Sequence, residues 1–219
     1  MADRQRTRLS PAARRAQLIA LGVQMLATRT LDELSVEDIA TEAGISRGLL
    51  FHYFSSKQEF HLEVARAAAR EMIERTEPDR SLPPLDALRG ALRAFMAYVS
   101  ENPDNYKSLV RGAASGDAEM RAIFDRTRST LAGRIIGVLA ELELPLGPRA
   151  SLAVHGWVAF VEECVVRAID DHSLDDPQFR DGLLDMLTKA LPAVVVSSSD
   201  EDVHSLVAIL TADQSIGVE

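Results

Sequence analysis

The chain has 219 residues, 47% of them apolar and 26% charged, with a formal net charge of −9 and one cysteine. That much apolar surface excludes disorder over most of the length, and a lone thiol excludes an internal disulfide framework. The start, Met1 to Ser10, has none of the apolar run of a signal peptide. The longest strongly apolar stretch, residues 150–161, is too short to span a bilayer, so a cytoplasmic protein with no membrane partner is expected. The charge is uneven. Residues 1–55 carry seven Arg against six acidic side chains, net +1, whereas residues 56–219 carry 17 basic and 27 acidic side chains, net −10. Arg4, Arg6, Arg8, Arg14 and Arg15 face only Asp3 within the first 15 residues. A basic arm on an acidic body suggests that one end alone meets an anion.

Helical punctuation recurs along the chain. Ser10-Pro11 places a capping hydroxyl before a proline suited to the first helical position. Leu18, Leu21, Gly22, Met25 and Leu26 then follow an amphipathic helical stripe. Ser35 and Asp38 form a capping-box variant that opens a short helix to about Ala43, with Gly44 suited to its left-handed end. Ser46 caps another short helix, and Ser56 with Glu59 opens a fourth, from Lys57 to about Arg75. Pro78, Pro83 and Pro84 interrupt the pattern. Beyond them the spacing predicts helices carrying Leu85 to Val99, Asn102 to Val110, Met120 to Leu142, Arg149 to Ile169 and Asp176 to Leu191. Val203, Leu206, Val207 and Leu210 keep helical spacing in an acidic tail. No alternating strand pattern appears. The reading is all-α, about nine helices, with room for a short tenth near the C-terminus.

A long helix, a short helix, a Gly44-Ile45 turn and a second short helix from Ser46 have the order of a helix-turn-helix, whose second short helix enters the major groove. The stretch from Ser35 to Lys57, with Ala43-Gly44-Ile45-Ser46-Arg47-Gly48 and Tyr53-Phe54-Ser55-Ser56-Lys57 within it, closely resembles the DNA-binding signature of the TetR family of bacterial regulators. The likeness covers about residues 11–62; the remainder resembles the family only in helix count and character.

The resemblance implies roles. Arg47 and Gly48 open the recognition helix, Arg47 to read guanine or grip phosphate and Gly48 to let backbone approach DNA. His52 and Tyr53 stand where family members touch backbone or bases, and Lys57 resembles the family's phosphate-clamping lysine. Ser35 and Ser46 are caps first and phosphate contacts second. Phe51 departs from the usual tyrosine, so its hydroxyl contact is lost, and Leu49 replaces a smaller residue, which leaves it either to meet a thymine methyl or to pack in the core.

The expected protein is a ligand-responsive repressor: a homodimer on a palindromic operator, released by a small lipophilic or aromatic effector. The expected division is residues 1–55 for DNA and residues 56–219 for effector binding and dimerisation. Phe95, Met96, Tyr106, Met120, Phe124, Trp157 and Phe160 are candidates to line the pocket, with His155, Glu162 or Arg167 as polar anchors. The helices from Arg149 and Pro177 are the candidate dimer pair, with Leu184 and Leu187 candidates to face the partner. The other readings are a helical enzyme or metal-binding bundle and a dimeric scaffold that does not bind DNA. No catalytic set, metal-ligand set or cofactor motif is apparent: Glu201 and His204 form a single Glu-x-x-His, and Cys164 between apolar neighbours reads as a small core residue.

Overall fold

The computed structural model describes residues 10–101, 103–114, 117–142 and 146–198. Every regular element among them is helical: α1 (Pro11–Met25), α2 (Val36–Glu42), α3 (Arg47–Tyr53), α4 (Lys57–Arg75), α5 (Pro84–Glu101), α6 (Pro103–Ala114), α7 (Ala118–Glu141), α8 (Pro148–Asp170), a 3-10 turn (Ser173–Asp175) and α9 (Pro177–Ser198). The short tenth helix and the basic side chains of Arg4, Arg6 and Arg8 lie outside the described residues. No described helix is long and apolar enough to cross a membrane.

The starts are those the capping residues dictate. Ser10, Ser35 and Ser46 each accept the backbone N–H three residues on, at 3.2, 3.1 and 3.2 Å. Ser56 does the same for Glu59 at 3.0 Å. Gly44 ends α2 at φ +62°, a conformation that only glycine adopts without strain.

The described chain clusters into two units. One holds residues up to Arg70 together with Asp104–Ile123; the other holds Glu71–Pro103 and residues from Phe124 onward. In the first, α1 lies directly on α4. A Cβ added at Gly22 would stand 2.5 Å from Val64 Cγ2 and 2.9 Å from Phe60 Cζ, so the contact exists only because residue 22 has no side chain. Phe60 meets Phe54 edge to face at 5.0 Å, and both rings are buried with Leu18, Leu34, Ile39 and Leu50. Arg15 sits 4.8 Å over the Phe54 ring and pairs with Glu59 and Glu63 at 3.2 and 3.3 Å. It braces α1 on α4, a correction to its place in a DNA-seeking basic arm.

The second unit is built on α8, α9 and α5. Trp157 of α8 is buried and its indole N–H donates to the Leu187 carbonyl of α9 at 3.2 Å. Leu184 and Leu187 are almost wholly buried against their own chain. The expectation that they face a partner is therefore wrong: the 3.6-residue stripe marked the side of α9 that packs inward. The opposite sides of the two helices carry Leu152, Phe160, Phe179 and Met186, which are 74%, 45%, 44% and 45% exposed. Glu162 is buried and held by Arg128 through Nη2 and Nε at 2.5 and 2.6 Å. Arg134 donates to the Ile73 carbonyl at 2.8 Å and pairs with Glu77, while Arg75 grips Glu101 through two bonds of 2.6 Å.

Two tests follow from the first unit. An alanine inside a helix ordinarily gains about 1 kcal/mol over glycine, but Gly22→Ala is expected to lose about 1–3 kcal/mol through overpacking against Val64 and Phe60, read from urea unfolding; a stabilised variant contradicts the close approach. His61 of α4 donates from Nε2 to the Leu34 carbonyl at 2.9 Å. Burial, aided by the Lys57 charge, holds its pKa below the ordinary value. The unfolded chain therefore takes up the extra proton first. The stability contributed by the neutral ring is complete above the ordinary value of about 6.5 and is lost as pH falls through the lowered folded value. The thermal midpoint of wild type is expected to drop more than that of His61→Gln between about pH 7 and pH 5; equal drops contradict the assignment.

Candidate nucleic-acid interface

The helix-turn-helix is assembled from its inner face outward. Ile39 and Ala40 of α2 and Leu50 of α3 are buried, and Phe54 beyond the end of α3 inserts beside Phe60. With Leu50 and Phe54 turned inward, Ser46, Arg47, Gly48, Leu49, Phe51 and His52 are left exposed, and Tyr53 is half-buried with an edge-to-face contact to His52 at 5.4 Å. A seven-residue helix has too little hydrogen bonding of its own to stand alone. Its inward residues hold it.

The structure brings Ser46, Arg47, Gly48, Leu49, His52 and Tyr53 together on and around α3. Nothing lies within 4 Å of a Cβ built on Gly48, so the backbone there is open to a ligand. Ser35 stands apart, half-buried. Its oxygen accepts the Asp38 N–H, and its hydroxyl donates to the Asp38 carboxylate at 2.5 Å, which holds that carboxyl below its usual range. It is a cap whose proton is already committed. Lys57 is exposed at the start of α4 and reaches the Asp32 carbonyl at 3.4 Å. Glu59, two residues on, accepts from the Ser55 N–H and hydroxyl at 2.6 and 2.7 Å, which keep it ionised to lower pH. Its charge opposes a phosphate at this end of α4.

Two features escaped the sequence reading. Arg47 of α3 pairs with Glu37 of α2 at 2.7 Å and lies 5.7 Å from the Phe51 ring centroid. Arg29 pairs with Asp38 at 3.0 Å, tying the segment after α1 to α2. The first pair joins the first turns of two consecutive short helices, and the second joins the segment between α1 and α2 to the first turn of α2.

The effector candidates fall in both units, Tyr106 and Met120 in the first and Phe95, Met96, Phe124, Trp157 and Phe160 in the second. Phe95, Met96, Tyr106, Met120 and Trp157 are buried, Phe124 is half-buried, and Phe160 is exposed. Phe160 is thereby corrected: it belongs to the outer side of α8. Met120 lines a cleft of about 390 Å³ with Leu31, Asp32, Lys57, His61 and Asp117. Of the polar anchors, only Glu162 is buried; His155 and Arg167 are exposed, bonded to Ser151 and Glu163 of their own helix. The Oδ1 atom of Asn105, at the start of α6, is buried with no hydrogen-bond partner.

Residues 18–64 match the family model for bacterial regulatory proteins of the tetR family. Residues 84–190 match the tetracyclin repressor-like C-terminal domain. The transcriptional repressor KstR2 of Mycolicibacterium smegmatis is 38% identical over 91 residues, 41% of this chain and 44% of that protein. The transcriptional activator FasR of the same species is 27% identical over 114 residues, 49% and 50% of the two chains. The chain thus spans about half the length of these curated relatives. A tetR-family regulator from Streptomyces coelicolor has a TM-score of 0.78 at 26% identity, with 94% of this chain and 91% of that one covered. A Rhodococcus regulator shares the fold at a TM-score of 0.64 and 23% identity, with 89% and 100% covered. The two family matches fall on the helix-turn-helix and on the helical body described above, and the chain belongs to the tetR family of bacterial regulatory proteins.

Proposed function

We propose that this protein is a ligand-responsive transcriptional repressor of the cytoplasm. It binds a palindromic duplex as a homodimer and leaves it when a small molecule binds. The observation that carries the reading is the outward face of α3: Arg47, Gly48, Leu49 and His52 stand exposed while Leu50 and Phe54 anchor the helix from behind. Arg47 reads a base edge, Leu49 meets a thymine methyl, and Lys57 grips phosphate. The working division is residues 1–55 for DNA and residues 56–219 for effector and partner. KstR2 is named a repressor and FasR an activator; the higher identity to the repressor favours repression.

The homodimer reading rests on the apolar outer sides of α8 and α9. Leu152 and Phe160 on one helix and Phe179 and Met186 on the other are large apolar side chains left in water. A second copy covering them by two-fold symmetry makes a four-helix bundle. The effector is a small lipophilic or aromatic molecule, a reading supported by the buried aromatic side chains of the body. Such a molecule releases DNA only by binding the non-DNA conformation more tightly.

Mobility-shift titration tests the DNA reading. Arg47→Ala is expected to cost about 1–3 kcal/mol on the preferred duplex only, whereas Lys57→Ala is expected to weaken every duplex alike and reduce the salt slope by about one per protomer. Unchanged affinity in both variants contradicts the assignment. For assembly, Phe160→Glu or Leu152→Glu is expected to give a folded monomer by light scattering that has lost tight binding to a palindrome. Leu187→Glu is expected to unfold the chain instead, because its side chain is buried within it. A Phe160→Glu dimer of wild-type affinity contradicts the proposed partner face.

A further inference from the structure

We infer that Glu37 is a specificity-determining residue of the DNA-reading surface, a positioning residue that holds the Arg47 guanidinium for a base edge and away from the phosphates. The inference rests on the regulator reading above. Three side chains from two helices carry it. Arg47 opens α3; Glu37, in the first turn of α2, pairs with its Nη1 at 2.7 Å; Phe51, one turn further along α3, places its ring 5.7 Å from the guanidinium carbon. The guanidinium meets a carboxylate at Nη1 and lies near an aromatic face, and the two contacts bias its orientation. Its Nε and Nη2 edge is left to make the two parallel bonds that select guanine.

Packing does not explain the arrangement. The Arg47 and Glu37 side chains are 65% and 57% exposed, and an ion pair so open to water adds little to stability. Phe51 is 40% exposed, so its ring is also not spent on the core. The first turn of α2 does not require Glu37 as its cap or acid either. Ser35 caps it, and Asp38 supplies a carboxylate already held by Ser35 and Arg29.

A carboxylate on a surface that meets phosphates weakens binding to every duplex through repulsion. Such a residue is useful where it weakens the wrong complexes more than the right one. With Glu37 in place, Arg47 swings to a phosphate only by breaking the pair and leaving a carboxylate facing the backbone. At a correctly placed guanine, Arg47 keeps the pair and bonds the base as well. Without Glu37, the long arginine side chain grips phosphate on any sequence.

The test uses the full chain and the duplex that wild type enriches from a randomised library, beside a scrambled duplex of equal length and composition. Wild type, Glu37→Gln, Arg47→Ala and the double variant are titrated against both by fluorescence anisotropy over a salt series. Glu37→Gln is expected to bind the scrambled duplex more tightly, with a salt slope steeper by about 0.9 for each further phosphate neutralised. Its ratio of preferred to scrambled affinity is expected to fall by about tenfold, the size of one mismatched base pair. In the Arg47→Ala background, Glu37→Gln is expected to leave that ratio unchanged, because Glu37 acts through Arg47. A Glu37→Gln variant with the wild-type ratio and slope overturns the inference. So does one that melts earlier but discriminates as well, or one that loses discrimination equally in both backgrounds. A wild-type chain that enriches no duplex overturns the regulator reading, and this inference with it.

Discussion

The contact between α1 and α4 at Gly22 sets the position of the DNA-reading helix. Only hydrogen at residue 22 lets Val64 and Phe60 come so near, and the same Phe60 ring packs edge to face on Phe54. Phe54 ends α3, so the short recognition helix takes its order from this seam rather than from its own seven residues. Arg15 then closes the seam from outside, over Phe54 and onto two carboxylates of α4. A residue placed by composition among DNA-seeking cations thus contributes to the interface indirectly, by fixing the platform on which Arg47 stands.

Charge is used differently on the two surfaces of the helix-turn-helix. On the platform side, the half-buried Arg15 and Arg66 share Glu63, and Asp117 receives the Gln58 amide. On the outward side, the pairs are open to water and contribute little to stability. Glu37 and Arg47 belong to this second class, and the role proposed for them is toward a bound anion. The rest of the chain is acidic, net −10 over residues 56–219 against +1 over residues 1–55, and net negative charge repels DNA.

Much of the architecture was legible because its signals are local. Ser10, Ser35, Ser46 and Gly44 mark helix ends by hydrogen bonds to residues three or four away, and the structure uses each as expected. The recognition-helix residues from Ser46 to Tyr53 were legible by family resemblance. What escaped was the direction in which a periodic face points. Leu184 and Leu187 keep a helical stripe, but α9 has apolar residues on two sides, and periodicity does not say which side meets its own chain and which meets water. Phe160 was misplaced for the same reason on α8. The resemblance implies a phosphate contact at Ser35 second to its capping role, but its hydroxyl proton is taken by the Asp38 side chain, a contact the resemblance does not register. The Glu37–Arg47 pair joins residues ten apart across a turn, a spacing to which no helical periodicity draws attention.

The central claim is that α3 is held by the α1–α4 seam and opens only with it. Native-state hydrogen exchange measures this directly at the backbone N–H groups of Leu50 and Phe54, which donate to Ser46 and Leu50, beside those of α1 near Gly22 and α4 near Val64. The expected result is a common opening free energy for all three segments, as in a single cooperative unit. Leu50 and Phe54 exchanging far faster than the seam, as a segment that frays while α1 and α4 stay closed, would contradict the account.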